Sequence, residues 1–293
     1  MALLAVPNFS EGRDPVVIAA LRAVLDTDHE VLDRHSDPDH NRTVFTLASD
    51  GAALVGLVAS AAEIALRRID MTHHRGLHPC VGSLDVSPLV WLTDADRDSA
   101  LSNARALGER IAELQIPVFF YGELASSQER RERAFFREGG LKGLRGRMAA
   151  GRVAADLGPA APHPTAGATL VSARPPLAAF NIELETADVG IAQQIAAELR
   201  EAGGGPPGVR AIGLPLEGRT QVSTNIGDPI GVPLADVVDR VAVLAARHGT
   251  SVREAEIVGL VPQAALAGYP QEIPIRGFDP AHHVIERRIE LGA

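Results

Sequence analysis

Apolar positions recur along the chain with two periods, and their alternation sets out the elements. Leu3 to Val6 is a short apolar run with strand character, closed by Pro7-Asn8. Asp14 followed by Pro15 reads as a helix cap with proline at the first position, after which Val17, Leu21, Val24 and Leu25 line one face. Glu30 to Asp33 and Thr43 to Ala48 read as strands on either side of a polar connection, His35 to Arg42. Asp50 opens a second helix, in which Leu54, Leu57, Val58, Ala61, Ile64 and Ala65 keep the helical period. Val86 to Leu92 reads as a strand. Thr93 or Asp94 caps a third helix carrying Leu101, Ala104, Leu107, Ile111 and Leu114, and Pro117 to Tyr121 reads as a buried strand.

This order is strand, helix, strand, strand, helix, strand, with a helix and a strand appended, and it predicts a ferredoxin-like split βαβ unit. From Leu177 the order begins again. Ala178 to Glu183 is a strand, Ile191, Ile195, Ala196 and Leu199 mark a helix face, and Val209 to Leu216 with Thr220 to Asn225 form a hairpin. Pro233 opens another helix, and Val252 to Leu260 closes the repeat. The glycine-rich Gly203 to Gly208 lacks the Gly-Lys-Ser/Thr ending of a phosphate loop and reads as a turn. The expected fold is α+β, with two ferredoxin-like subdomains, 1–176 and 177–293, and a substrate groove between them. Asp156 to Ala173 is expected at their junction.

Composition narrows the function classes. With 46% hydrophobic residues in 293 the chain is globular, and its net charge of -9 argues against nucleic acid as a partner. The longest apolar run, Gly51 to Ala62, is too short to span a bilayer, so no membrane association is expected. The opening MALLAVPNFSEG lacks the basic and long apolar regions of a signal peptide. A single cysteine rules out an intrachain disulfide, and a cytoplasmic location is the expectation. The charge is uneven: Arg130, Arg131, Arg133, Arg137, Lys142, Arg145 and Arg147 crowd one segment. That segment reads either as a solvated loop or as a lid that attracts anions.

Candidate chemistry concentrates in Met71 to Asp85, which holds His73, His74, His78 and Cys80. His74 and His78 have the spacing of two zinc ligands on one helix face, but Gly76 and Pro79 oppose a helix and Arg75 stands where that motif has glutamate. No metal is expected. Cys80 and His78, two residues apart, could meet as a nucleophile and its base, against the commoner role of cysteine as a small core residue. A histidine acting alone as general acid/base is the third option, since imidazole titrates near neutrality. The residues alone leave these open.

Short blocks along nearly the whole chain resemble those of the glutamate formimidoyltransferase family, the formiminotransferase domain of histidine degradation and one-carbon metabolism. They include Val6-Pro-Asn-Phe-Ser-Glu-Gly12, His40-Asn-Arg-Thr43, Gly76-Leu-His-Pro79, Leu84-Asp-Val86, His163-Pro-Thr-Ala-Gly-Ala-Thr169, Gln221-Val-Ser-Thr-Asn225 and Val258-Gly-Leu-Val-Pro262. The resemblance implies transfer of a formimidoyl group from N-formimidoyl-L-glutamate to tetrahydrofolate, a co-substrate, without metal and without the cyclodeaminase domain that some relatives carry. It places the catalytic general acid/base on His78. It places folate on the segment Gly158, Pro159, Ala160, Ala161, Pro162, His163, Pro164, Thr165, Ala166 and Gly167.

Asp37, Asp39 and Asn41 are expected near the amidinium, and Arg42 and Arg137 near substrate carboxylates. The family motif has glutamate before this histidine and Arg-Met after the proline, where this chain has Leu77, Cys80 and Val81. Two alternatives follow: a folate-binding protein of the same fold with lost or altered donor specificity, such as formyl transfer, and a Cys-His amidohydrolase using Cys80. The expected partners are small molecules, with a homodimer as the assembly to test.

Overall fold

The structure, a computed structural model, describes residues 3–27 and 31–292. The chain divides between Arg174 and Pro175 into two compact units. In the first, β1 (Leu3–Ala5) and β2 (Asn8–Phe9) are two pieces of one strand interrupted at Pro7, which has no N–H to donate. α1 (Pro15–Leu25) follows, its first amides capped by the Asp14 carboxylate. β3 (Val31–Asp37), β4 (Arg42–Ser49), α2 (Gly51–Arg68) and β5 (Leu84–Val90) complete a β-α-β-β-α-β order. β1 and β2 lie between β4 and β5 and run antiparallel to both, and β3 pairs with the far side of β4. α3 (Arg97–Glu113), β6 (Val118–Phe120), α4 (Arg133–Arg137), α5 (Gly140–Ala149) and β7 (Thr169–Arg174) extend the unit, with β7 parallel to β5 and β6 parallel to β7.

Three expectations change here. The polar stretch from His35 is strand as far as Asp37, because β3 is an edge strand paired on one side only and needs little apolar content. Its expected start at Glu30 lies outside the described residues. The third helix begins at Arg97 after a 3₁₀ turn at Asp94–Asp96, so Thr93 caps the turn and not the helix. The basic segment is not a loop: α4 and α5 fold onto the sheet through Phe136, Leu144 and Met148, which pack with Phe119, Tyr121 and Leu170. Alternation along β6 makes this possible, since Val118 and Phe120 join the core under α1 to α3 while Phe119 and Tyr121 face the other side.

The arginines follow the same logic. Arg130 donates to Asp156 and lies over the Phe119 and Phe136 rings, and Arg147 donates to the Phe135 and Phe136 carbonyls. Only Arg131, Lys142 and Arg145 of the seven basic residues in this segment are exposed.

The second unit repeats the order with β8 (Ala178–Leu184), α6 (Val189–Leu199), β9 (Val209–Leu216), β10 (Arg219–Ile226), α7 (Leu234–Arg247) and β11 (Val252–Val258). Its four antiparallel strands lie in the order β11-β8-β10-β9, and α6 and α7 pack on one face through a core around Phe180, Ile195, Val222 and Val241. Ile212, Leu214 and Leu216, two apart along β9, remain exposed. The chain ends in two short helices, α8 (Pro280–His283) and α9 (Ile285–Gly292). Among the described residues no helix is long and apolar enough to cross a membrane.

Candidate active site

Between α2 and β5 the chain leaves the regular frame and runs through residues 69–83. Two close backbone approaches hold this link, at Gly76 and Gly82, and a third, at Gly12, joins the segments beside it. A Cβ on Gly76 would lie 2.3 Å from the His40 carbonyl oxygen, one on Gly12 2.2 Å from that of Asp37, and one on Gly82 1.9 Å from that of Ala168. Asn41, buried and at φ 50°, ties the pieces together. Its Oδ1 accepts from Gly12 N at 2.8 Å and its Nδ2 donates to the Arg75 carbonyl at 3.2 Å. Asparagine tolerates this left-handed backbone better than most residues. Asn41 is therefore a staple of the site rather than a group free to meet substrate.

The result is an open cleft of about 630 Å³ lined by Arg13, Asp39, His74, Arg75, Gly76, Leu77, His78 and Cys80. His78 is half-buried in its wall. Arg42, at the start of β4, places Nη1 3.3 Å from His78 Nδ1 and donates from the same nitrogen to Asp85 Oδ2 at 3.0 Å. Its Nη2 donates to Asn8 Oδ1 at 2.7 Å. Arg137, the last residue of α4, donates to the same Asp85 oxygen, and Val81 N donates to the other, Oδ1, at 2.8 Å. Asp85 is fully buried in β5, and both arginine side chains are 11% exposed. Burial alone would raise the Asp85 pKa, but the two guanidiniums and the Val81 amide outweigh it and hold the carboxylate ionised.

This cluster revises the roles expected of Arg42 and Arg137. Both point inward onto Asp85 and act on His78 as fixed positive charge. Burial first, then Arg42, then Arg137 lower the His78 pKa from 6.5 to about 4, so the imidazole is neutral at physiological pH. Asp85 opposes the shift without cancelling it.

Asp37 is also occupied: its Oδ1 caps the Asp39 and His40 amides at 2.8 Å each, and its Oδ2 lies 3.0 Å from His40 Nδ1. Asp39, exposed at the cleft, is the carboxylate left available. Cys80 is half-buried, and burial first, then Asp85, push its thiol up to about 11. A thiol that stays protonated is a poor nucleophile, which argues against the Cys-His amidohydrolase.

The segment from Gly158 to Gly167 belongs to the first unit, directly before β7. His163 and Gly167 exchange backbone hydrogen bonds of 2.8 and 3.1 Å, and the His163 ring accepts from Ala166 N at 3.1 Å. The Ala166 carbonyl accepts from Ser83 N and Ala168 N donates to the Val81 carbonyl, so this turn lies alongside the chain that leaves His78. Pro162 is buried, while Gly158, Ala160, Ala161 and Pro164 are exposed and Pro159 and Thr165 are half-buried.

Sequence reasoning missed three participants. Asp85 lies in the Leu84-Asp-Val86 block with no role assigned, although an acid inside a mostly apolar strand is a signal in itself, since buried carboxylates are rare unless paired. Arg13 and Arg75, both exposed at the cleft, carried no signal beyond their charge. Among the described residues no group of three or more His, Cys, Asp or Glu side chains could hold a metal ion.

Two family models cover most of the chain. The formiminotransferase domain, N-terminal subdomain, matches residues 2–174, and the formiminotransferase domain matches residues 179–270. The chain is 36% identical over 290 residues to a glutamate formimidoyltransferase of Streptococcus pyogenes serotype M1, covering 97% of each. It is 35% identical over 296 residues to one of Thermoplasma acidophilum, covering 98% of this chain and 97% of the relative. A formimidoyltransferase-cyclodeaminase of Sus scrofa is 39% identical over 272 residues, which span 89% of this chain and 50% of that protein.

Proposed function

We propose that this chain, which belongs to the formiminotransferase family, transfers a formimidoyl group from N-formimidoyl-L-glutamate to tetrahydrofolate. The observation that carries this reading is similarity over nearly the full length of two glutamate formimidoyltransferases, with His78 in the wall of an open cleft. In the transfer, a ring nitrogen of the folate adds to the formimidoyl carbon, a tetrahedral adduct forms, and the glutamate nitrogen departs. His78 is the general acid/base that takes the proton from the attacking nitrogen and returns one to the departing nitrogen. Arg13 and Arg75 supply positive charge for the donor's carboxylates from the cleft rim, a task for which Arg42 and Arg137 are too committed to Asp85. Asp39 is the carboxylate available to a cationic amidinium. The turn from Gly158 to Gly167 is the folate contact, its exposed small residues allowing close approach of a flat ring.

The test supplies N-formimidoyl-L-glutamate and tetrahydrofolate and follows glutamate release together with folate absorbance. Glutamate release that requires the folate and changes its spectrum supports the reading. Folate binding without turnover would favour the binding-protein alternative, and release without folate would refute transfer.

A further inference from the structure

The cleft lining holds two cations and one anion. Arg13 and Arg75 are permanently charged, and each spends one nitrogen on a backbone carbonyl, Arg13 Nε on Pro38 at 2.7 Å and Arg75 Nη1 on His74 at 2.9 Å. Among the described residues that line the cleft, Asp39 is the one acid. Its backbone is fixed at both ends: its amide donates to Asp37 Oδ1 at 2.8 Å, and its carbonyl accepts from Leu77 N at 3.1 Å, one residue before His78. Its carboxylate has no hydrogen bond or ion pair among the described residues, whereas Asp37 spends both oxygens on its own turn and Asp85 is sealed. The other titratable groups of the lining are neutral at physiological pH. Burial lowers both imidazoles, His78 to about 4, and raises the Cys80 thiol to about 11.

N-formimidoyl-L-glutamate carries the opposite set, two carboxylates and one amidinium. N-formyl-L-glutamate has the same carboxylates and no cation. We infer that Asp39 is the residue that selects a cationic amidine donor over a neutral formyl donor. This rests on the formimidoyl-transfer reading above and deepens it by assigning the choice of donor class to one side chain.

The chemistry at the carboxylate runs the same way. An amidinium presents N–H groups on both nitrogens, and two carboxylate oxygens receive them side by side, as they receive a guanidinium. A formyl group has an oxygen in place of the second nitrogen, so the same approach sets lone pair against lone pair. Selection then comes from repulsion as well as attraction. The paired carboxylate also keeps the amidinium protonated, and so electrophilic at carbon, when the folate nitrogen attacks. Arg13 and Arg75 meet carboxylates that both donors share, so they add affinity without choosing. His78 moves protons in the same way for either donor.

Calorimetric binding of the two donors without tetrahydrofolate tests this, because it does not depend on turnover. The unmodified protein is expected to bind N-formimidoyl-L-glutamate at least about tenfold more tightly than N-formyl-L-glutamate, the scale of a hydrogen bond to a charged group. Asp39→Asn keeps the shape and one accepting oxygen but removes the charge. It should bring the two affinities within about threefold, the size of a weak surface contact, with the formyl donor held as well as before or better. Retained formyl binding shows that the variant is folded. Arg75→Gln should weaken both donors by a similar factor. Equal affinities in the unmodified protein overturn the inference, as does an undiminished preference in Asp39→Asn, an equal loss of both donors there, or a preference that Arg75→Gln abolishes instead. If the preference holds and follows Asp39 while no folate-dependent transfer occurs, the functional reading fails and selection by charge stands.

Discussion

The two units share one order of elements yet differ in what they do with charge. In the second unit the link from α7 to β11 is residues 248–251, and its main ion cluster, Arg276 with Glu183, Glu254 and Glu256, centres on a guanidinium that is 46% exposed. In the first unit the corresponding link, 69–83, carries His74, His78 and Cys80, and its central carboxylate, Asp85, is sealed from water. The added helix α4 supplies the second arginine and covers a sheet face, whereas Ile212, Leu214 and Leu216 of the second unit stay exposed. The second copy also buries a carboxylate, Glu183, but pairs it with an arginine that water reaches, so the repeated frame does not need a sealed ion cluster. The candidate site lies where the first copy has chain that the frame does not need.

Removing the buried charge should separate the units most sharply. Asp85→Ala leaves Arg42 and Arg137 without their counter-ion and is expected to cost about 3–5 kcal/mol in denaturant unfolding. Glu183→Ala, facing an arginine that water already reaches, should cost much less. Equal losses would mean that the two clusters are alike in kind. Next in size is His78→Ala, expected to lower turnover about 100-fold or more, the scale for losing a group that stabilises the transition state. His248→Ala, in the short link of the second unit, should leave turnover unchanged.

Gly167 comes third. It sits at φ 76°, where a Cβ would lie 2.2 Å from the Val81 carbonyl oxygen. Gly167→Val is expected to destabilise the fold by about 1–3 kcal/mol and to weaken donor and folate binding together. A selective loss of folate would show that the turn is a ligand contact alone.

The field on His78 gives a smaller, local effect. Followed by NMR, its ring should titrate at about 4 and not at 6.5, and Arg137→Gln should raise that midpoint by removing a positive charge. The sign for stability follows from the unfolded chain binding the proton more readily. Stability is unaffected above about pH 6.5, falls as pH drops below it, and the loss is complete once pH passes the folded value near 4. A midpoint of 6.5 in the folded protein would remove the field. Cys80→Ser should change least, with most turnover kept and a stability change within about 1 kcal/mol.

The frame was legible because it rests on local periodicity. The Asp14 and Asp50 caps, the alternation of Phe45 and Leu47 in β4, and the repeat from Ala178 all follow from patterns a few residues long. The candidate cleft was legible in part, since His78 and Asp39, which line it, stood out by residue type or by resemblance. Asp85 and Arg137 are 52 positions apart, and no local pattern announces that a helix end will reach a strand interior. The same limit hid the packing of α4 and α5. A run of arginines looks solvated until the carbonyls and rings that receive it are known.

The close approaches around the cleft also govern its capacity to vary. Gly12, Gly76 and Gly82 each admit another segment's carbonyl where any side chain would stand, and Asn41 joins two of those segments with one amide. Leu77, between Gly76 and His78, is 77% exposed and bound by none of this. The rim can therefore accept new residues while its hinges cannot. A saturation library through residues 74–80 should find its evolutionary freedom at Leu77 and almost none at Gly76. In a lineage under selection for a different donor, change would accumulate on the tip of this loop and leave its anchors untouched.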